Sequence, residues 1–199
     1  MKRILTLLVA VVAMVAVKAQ QIALVSATGE TKMYQTFDDA IEDAETGSTI
    51  YLPGGGFTVS KSINKKLTII GIGHKVKGGN VDGNTIIVGD LSFIGESSGS
   101  ALMGCYITGN VSIGASEDSK AVNNILVRYC NANTIQVNRA DCTGIIINQN
   151  YLRGYACGFS GSIVNITNNI LQGVAQIGGG TIDCNITPIL AFGTFAADA

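Results

Sequence analysis

The chain has 199 residues, with 13 Lys and Arg, 14 Asp and Glu, and 47% hydrophobic residues. This length is enough for a single domain with a sizeable core. The near balance of charge excludes the broad basic surface that nucleic-acid-binding proteins carry, so we expect no nucleic acid partner.

The first 19 residues predict a cleaved secretory signal. Lys2 and Arg3 precede an apolar run over residues 4–17, and Val17-Lys18-Ala19 supplies small residues for cleavage. The run is too short to span a bilayer permanently, so we expect a mature chain that starts at Gln20 without a transmembrane anchor. Cleavage removes three basic residues and leaves ten against 14 acidic ones. We expect the protein to be secreted or held at the outer cell surface.

The next recognisable element is a short helix over Thr36–Ala44. Thr36 is suited to cap its first turn, and Gly47 follows its end. Its apolar side chains recur on one face, at Phe37, Ala40, Ile41 and Ala44. We expect this face to cover the open hydrophobic end of a stack of strands, because an uncovered end invites pairing with other chains.

Short strand-like runs and turns then alternate without intervening helices. The first runs are Thr49–Leu52, Phe57–Ile63 and Leu67–Gly71, with a turn at Pro53–Gly56. Parallel strands without helical crossovers require a coil in which each turn of chain lies on the previous one. We therefore predict an all-β fold, a right-handed parallel β-helix that forms one domain over residues 20–199.

Four repeats in the second half support this prediction. They begin at Cys105, Cys130, Asn150 and Asn169, and β-branched runs precede the last three at one offset. Neighbouring coils of such a stack lie about 4.8 Å apart, so equivalent residues are in contact. Aliphatic side chains then form inward columns, and Asn side chains hydrogen-bond from coil to coil.

The five cysteines are too widely spaced for a tight disulfide framework. Cys105 and Cys130 occupy the same repeat position, which indicates small buried side chains stacked on each other. One disulfide between neighbouring coils is the alternative. We expect no zinc site, because the sequence has no CxxC pair and one histidine, His74.

The segments Phe37–Ile41, Gly47–Gly55 and Leu67–Gly71 together resemble the entry region of the pectate-lyase-like right-handed β-helix superfamily. The resemblance covers residues 34–190. The signal and the repeats are similar in style to those of exported bacterial proteins. The resemblance implies work on an extracellular carbohydrate polymer, although the superfamily also contains many members without known catalysis.

The predicted columns argue against an enzyme. Lyases of this fold need carboxylates on neighbouring coils to hold Ca²⁺, and hydrolases need paired carboxylates. The column at Arg128 continues with Asn148 and Thr167, and the column at Arg153 holds Thr108, Asn133 and Gln172. We interpret His74, Asp82 and Asp90 as turn residues. We therefore expect no catalytic residue, metal ligand or cofactor. The alternative is a lyase or glycoside hydrolase relative, either degenerate or truncated before its active coils.

Binding is the more economical hypothesis. Candidate glycan-binding residues are the aromatic and basic side chains of the repeats: Tyr129, Tyr151, Tyr155, Arg128 and Arg153. These tyrosines alternatively cover apolar edges of the coils. The sequence thus predicts an exported scaffold, adhesin or glycan-binding protein whose partner is an extracellular polysaccharide or cell-surface glycan.

The segment from Pro188 to Phe195 is apolar and lacks an evident polar cap. Stacked repeats need covered ends, so this segment either folds over the last coil or is followed by further coils.

Overall fold

The structure is a computed structural model that describes residues 21–73, 83–114, 120–158, 161–183, 185–186 and 189–192. The predicted secretory signal and the candidate turn residues His74 and Asp82 lie outside these ranges. Within them, no helix has the length and apolar character needed to cross a membrane.

The described residues form one short helix and 22 strands. The helix α1 is Phe37–Asp43. The strands are β1 Ile22–Val25, β2 Thr31–Tyr34, β3 Thr49–Leu52, β4 Gly55–Thr58, β5 Ile63–Lys65, β6 Thr68–Gly71, β7 Thr85–Val88, β8 Leu91–Glu96, β9 Ala101–Met103, β10 Tyr106–Ile107, β11 Val111–Ile113, β12 Leu126–Arg128, β13 Asn131–Ala132, β14 Ile135–Val137, β15 Ile145–Asn148, β16 Tyr151–Leu152, β17 Ala156–Cys157, β18 Val164–Thr167, β19 Ile170–Leu171, β20 Val174–Ile177, β21 Gly180–Asp183 and β22 Ile189–Phe192.

Three parallel sheets run along a solenoid of about six turns, so the predicted parallel β-helix is confirmed. From β3 onward, each coil contributes one strand to sheet A, one to sheet B and one to sheet C, in that order. Sheet A has nine strands, ordered β2-β1-β3-β6-β9-β12-β15-β18-β21. Sheet B is ordered β19-β16-β13-β10-β7-β4, and sheet C is ordered β22-β20-β17-β14-β11-β8-β5. We number the coils 1 to 6, so that coil 1 contains β3–β5 and coil 6 contains β18–β20.

The core consists of inward columns, as the repeats predict. From β3 onward, the register places one residue of each sheet A strand directly on its equivalent in the next coil, and all members of this column are buried. Its members are Ile50, Ile69, Leu102, Val127, Ile147, Ile166 and Ile182. Each fully buried aliphatic side chain contributes about 1.5–3 kcal/mol relative to exposure, so the column is a major source of stability.

The predicted helix is present and covers the first coil. Thr36 is its N-cap and accepts a hydrogen bond from the backbone N–H of Asp39 at 3.2 Å, and Phe37 is buried. The helix ends at Asp43, because Ala44 is already extended. The sequence did not predict that β1 and β2 pair antiparallel and add to β3. The cap is therefore a helix and a hairpin together.

The predicted strand over Phe57–Ile63 is wrong, because the structure divides it. β4 ends at Thr58 in sheet B, and β5 begins at Ile63 in sheet C. Between them, the Asp38 carboxylate accepts hydrogen bonds from the backbone N–H groups of Ser60 (3.0 Å) and Lys61 (3.2 Å). These donors point at the helix instead of a neighbouring strand, so the chain turns here.

Candidate functional site

The corner between sheets A and B positions the first two candidates. One residue of this corner is left-handed in each of coils 3 to 6, with φ between 55° and 68°: Gly104, Tyr129, Gln149 and Asn168. The side chain of Tyr129 points outward and is 46% exposed. A bulky residue in this conformation costs about 1 kcal/mol, so Tyr129 is a strained residue at the surface.

Arg128 holds the ring of Tyr129. Its Cζ lies 4.4 Å from the ring centroid, which is the geometry of a cation–π contact. Its Nε donates to Oε1 of Gln149 at 2.7 Å, and Nη2 donates to the same oxygen. Nη1 has no hydrogen-bond partner among the described residues. Ring and guanidinium are thus fixed before any ligand binds.

Gln149 was not among the predicted residues. Its role follows from the repeats, because Gln149 precedes Asn150 as Tyr129 precedes Cys130. This alignment signal places its amide one coil from Tyr129.

The guanidinium of Arg153 hydrogen-bonds to groups of neighbouring coils. Nη1 donates to Oδ1 of Asn131 at 2.8 Å, and Nη2 donates to the carbonyl oxygens of Ile107 at 2.9 Å and Thr108 at 3.0 Å. Its Cζ also lies 4.7 Å from the ring centroid of Tyr106. The side chain therefore ties coil 5 to coils 4 and 3, and these contacts occupy much of its donor capacity.

Tyr151 belongs to the outward column of sheet B, in register with Asn131 and Ile170. Its ring is half-buried, and its hydroxyl accepts a hydrogen bond from Nε2 of Gln172 at 2.7 Å. Tyr106 occupies the same column two coils earlier. In this column the two tyrosines flank Asn131, which is buried beneath the guanidinium of Arg153.

Tyr155 lies apart from these residues, on sheet C. Its side chain is 43% exposed, and its hydroxyl donates to Oε1 of Gln136 at 3.2 Å. It forms one wall of a groove of about 510 Å³ on the outer face of coils 5 and 6. The described lining is Gly154, Tyr155, Ala156, Cys157, Gly173, Val174 and Gln176.

The groove carries polar but uncharged groups. Gln136, Cys157 and Gln176 form one outward column, since the register pairs each with the next. Burial raises the pKa of the Cys157 thiol to about 11, so this thiol is protonated at neutral pH. No ionised side chain is present in the described lining.

Carboxylates are sparse in the described chain, and no three His, Cys, Asp or Glu side chains of these residues form a cluster that would hold a metal ion. The predicted register of Arg128, Asn148 and Thr167 is confirmed, and the structure extends this column by one acid, Asp183. Asp90 lies in the turn between β7 and β8, and its carboxylate accepts a hydrogen bond at 2.7 Å from the backbone N–H of Asn110 at the equivalent corner of the next coil.

Fold and surface together define a parallel β-solenoid with preorganised aromatic side chains on its outer faces. No protein-family model, no curated protein and no solved structure matches this chain. The superfamily suggested by the entry region therefore stays a prediction, whereas the solenoid itself is observed.

Proposed function

We propose that the protein is an exported, non-catalytic β-solenoid scaffold that binds an extracellular polysaccharide or cell-surface glycan. The observation that carries this proposal is the exposed, left-handed Tyr129, whose ring is held by Arg128. The fold imposes this conformation at the same corner of coils 3 to 6, and in coil 4 it is kept by an exposed tyrosine although Gly or Asn would adopt it more readily.

The chemistry of the corner suits a sugar. A pyranose has an apolar C–H face that packs on an aromatic ring and a rim of hydroxyl groups that needs hydrogen bonds. Tyr129 supplies the ring, and the guanidinium of Arg128 and the amide of Gln149 supply polar groups beside it.

The regularity of sheet B suits a polymer. Tyr106 and Tyr151 are two coils apart in one outward column, which corresponds to about 10 Å along the stack. This spacing is close to the length of a disaccharide, so successive units of a chain would meet the ring of Tyr151 and the guanidinium of Arg153, which covers the ring of Tyr106.

The column beside Arg128 favours binding over catalysis. Its next two members are Asn148 and Thr167, whose amide and hydroxyl groups do not act as a proton-transferring carboxylate pair. Export rests on the sequence of residues 1–19 and is part of the proposal.

The decisive variant is Tyr129→Asn, tested by pull-down on insoluble polysaccharides and by electrophoresis through gels that contain soluble ones. We expect binding to fall about fivefold, since the aromatic contact is worth about 1 kcal/mol. Asn adopts the left-handed conformation readily, so the urea midpoint should be unchanged or higher.

The matched control is Tyr51→Asn, because Tyr51 is 47% exposed on sheet A of coil 1, away from the corner. Equal binding by the Tyr129 and Tyr51 variants would contradict the role of Tyr129. Failure of the unaltered protein to bind any polysaccharide would contradict the proposed function itself.

A further inference from the structure

We infer that the groove on the outer face of sheet C is a second binding site, and that it accepts an uncharged sugar ring of a neutral polysaccharide. The site lies on different residues from the Arg128–Tyr129 corner, so it stands or falls independently of that corner.

The groove arises from unequal side chains at equivalent positions. Tyr155 precedes β17, and the equivalent residue in the next coil is Val174, because Ala156 pairs with Ala175. The long ring therefore stands beside a short side chain. The hydroxyl of Tyr155 is held by Gln136, so the ring wall is fixed.

Backbone forms much of the floor. Gly154 and Gly173 both line the groove, and they lie close together across the two coils. A Cβ added to Gly173 would lie 2.6 Å from the carbonyl oxygen of Gly154, which is too close for any other residue. Glycine at this position lets the two coils approach closely, and Gly154 and Gly173 contribute only backbone to the lining beside the ring of Tyr155.

The polar groups select an uncharged ligand. The amide of Gln176 has no hydrogen-bond partner within the described chain and offers both a donor and an acceptor. A carboxylate or ammonium group would lose water here without meeting an opposite charge, which is costly. Hydroxyl groups need only the hydrogen bonds that an amide and a phenol provide.

The size also fits. A volume of about 510 Å³ lies within the usual range for small-molecule sites, about 300–1,000 Å³. It accommodates one or two sugar rings and leaves the rest of a polymer on the surface.

Cys157 allows occupancy to be measured directly. It is half-buried in the groove, whereas Cys105, Cys130 and Cys142 are buried. The experiment follows alkylation of Cys157 by N-ethylmaleimide with peptide mass spectrometry. Neutral hexasaccharides of the glucan, xylan, mannan and chitin series are compared with hexagalacturonate.

At a sugar concentration about ten times the Kd, a neutral hexasaccharide should slow alkylation of Cys157 about tenfold by mass action. Hexagalacturonate should leave the rate unchanged. Protection by no neutral sugar, or equal protection by hexagalacturonate, overturns the inference.

Two variants test the groove itself. Tyr155→Ala should weaken neutral sugar binding about tenfold, and Val174→Phe should block the groove while Tyr155 remains. Both are compared with Tyr51→Ala, which should bind like the unaltered protein. A groove variant is interpreted only if its urea denaturation shows that it is folded before urea is added. Undiminished protection of Cys157 in both groove variants contradicts the site. Loss of binding in the Tyr129→Asn variant alone would leave it intact.

Discussion

The inward column at the corner between sheets A and B has two chemically different halves. Coils 3 and 4 fill it with thiols, Cys105 and Cys130, whereas the later coils fill it with amides. The amides are Asn150, Asn169 and Asn185. Because the backbone geometry is the same in both halves, differences in stability between them arise from the side chains.

In the amide half, every Asn side chain hydrogen-bonds to backbone groups of the coil before it. Oδ1 of Asn150 accepts the backbone N–H of Cys130 at 2.9 Å, and its Nδ2 donates to the carbonyl oxygen of Val127 at 2.9 Å. Asn169 repeats both contacts one coil later, with the N–H of Asn150 at 2.9 Å and the carbonyl oxygen of Ile147 at 2.8 Å. The buried backbone N–H groups of Cys130 and Asn150 are thereby satisfied, and the carbonyl oxygens of Val127 and Ile147 gain a side-chain donor.

In the thiol half, sulfur occupies the same position. The Sγ of Cys130 lies 3.7 Å from the carbonyl oxygen of Leu102, and Leu102 is the register equivalent of Val127. Backbone hydrogen bonds from Cys105 and Gly104 reach the same thiol. Both cysteines are free thiols, so no disulfide joins these coils. The thiol half makes the same contacts with weaker groups, and packing contributes more of its stability.

The largest expected effect is in the amide half. Asn169→Ala leaves the backbone N–H of Asn150 without its partner in a buried site, and it removes the hydrogen bonds to the carbonyl oxygen of Ile147 and from Nδ2 of Asn150. We expect the free energy of unfolding to fall by about 3 kcal/mol, because each buried unsatisfied group costs about 1–3 kcal/mol. Urea denaturation followed by circular dichroism measures this. A loss below about 1 kcal/mol would mean that the ladder is dispensable.

The thiol half should be sensitive to alkaline pH. Burial raises the pKa of Cys130 from its usual 9.0 to about 12. Below pH 9 the thiol is protonated in both states. Above pH 9 the unfolded chain loses this proton first, so unfolding becomes easier as pH rises towards 12. We expect the unfolding free energy that depends on this thiol to fall by slightly less than about 3 kcal/mol at pH 11.

The check is the difference between the unaltered protein and Cys130→Ala in urea midpoints from pH 8 to 11, which cancels the titration of tyrosines and lysines. Parallel pH profiles for the two proteins would show that Cys130 does not titrate in this range.

Converting one half into the other should succeed at Cys130. In Cys130→Asn, the new Oδ1 meets the backbone N–H of Cys105 and Nδ2 meets the carbonyl oxygen of Leu102, as in the later coils. We expect a gain of about 1 kcal/mol at pH 7, the net worth of an added hydrogen bond. Cys130→Ala, which removes the sulfur without replacing its contacts, should lose about 1 kcal/mol. If the Asn variant is the less stable of the two, the halves are not interchangeable.

Much of the solenoid was predictable, because residues that stack on each other in neighbouring coils are of similar types and recur at a regular spacing in the sequence. The repeats at Cys105, Cys130, Asn150 and Asn169 mark the corner column correctly, and the register of Arg128 with Asn148 is the predicted one. A sequence repeat is recognisable when each coil packs the same kinds of side chain at the same positions.

The unpredicted parts are those where coils differ. Strand β2 has mostly exposed side chains and no apolar alternation, so its antiparallel pairing with β1 left little sequence signal. The groove on sheet C depends on the different lengths of Tyr155 and Val174, which a search for similarity ignores. The hydrogen bonds of Arg153 to carbonyl oxygens two coils away depend on three-dimensional reach, which spacing alone does not give.

The smallest expected effect tests whether burial, and not amide chemistry, sets the value of the ladder. Nδ2 of Asn133 donates to Oδ1 of Asn110 at 2.9 Å, which is also an amide contact between neighbouring coils, but it lies at the exposed surface. Asn133→Ala should cost at most about 0.5 kcal/mol, because water replaces the lost partner. The same urea titration as for Asn169→Ala measures it. Equal losses at Asn133 and Asn169 would attribute the stability of the column to amide stacking in general, and burial would then not explain the difference between the inner and outer faces.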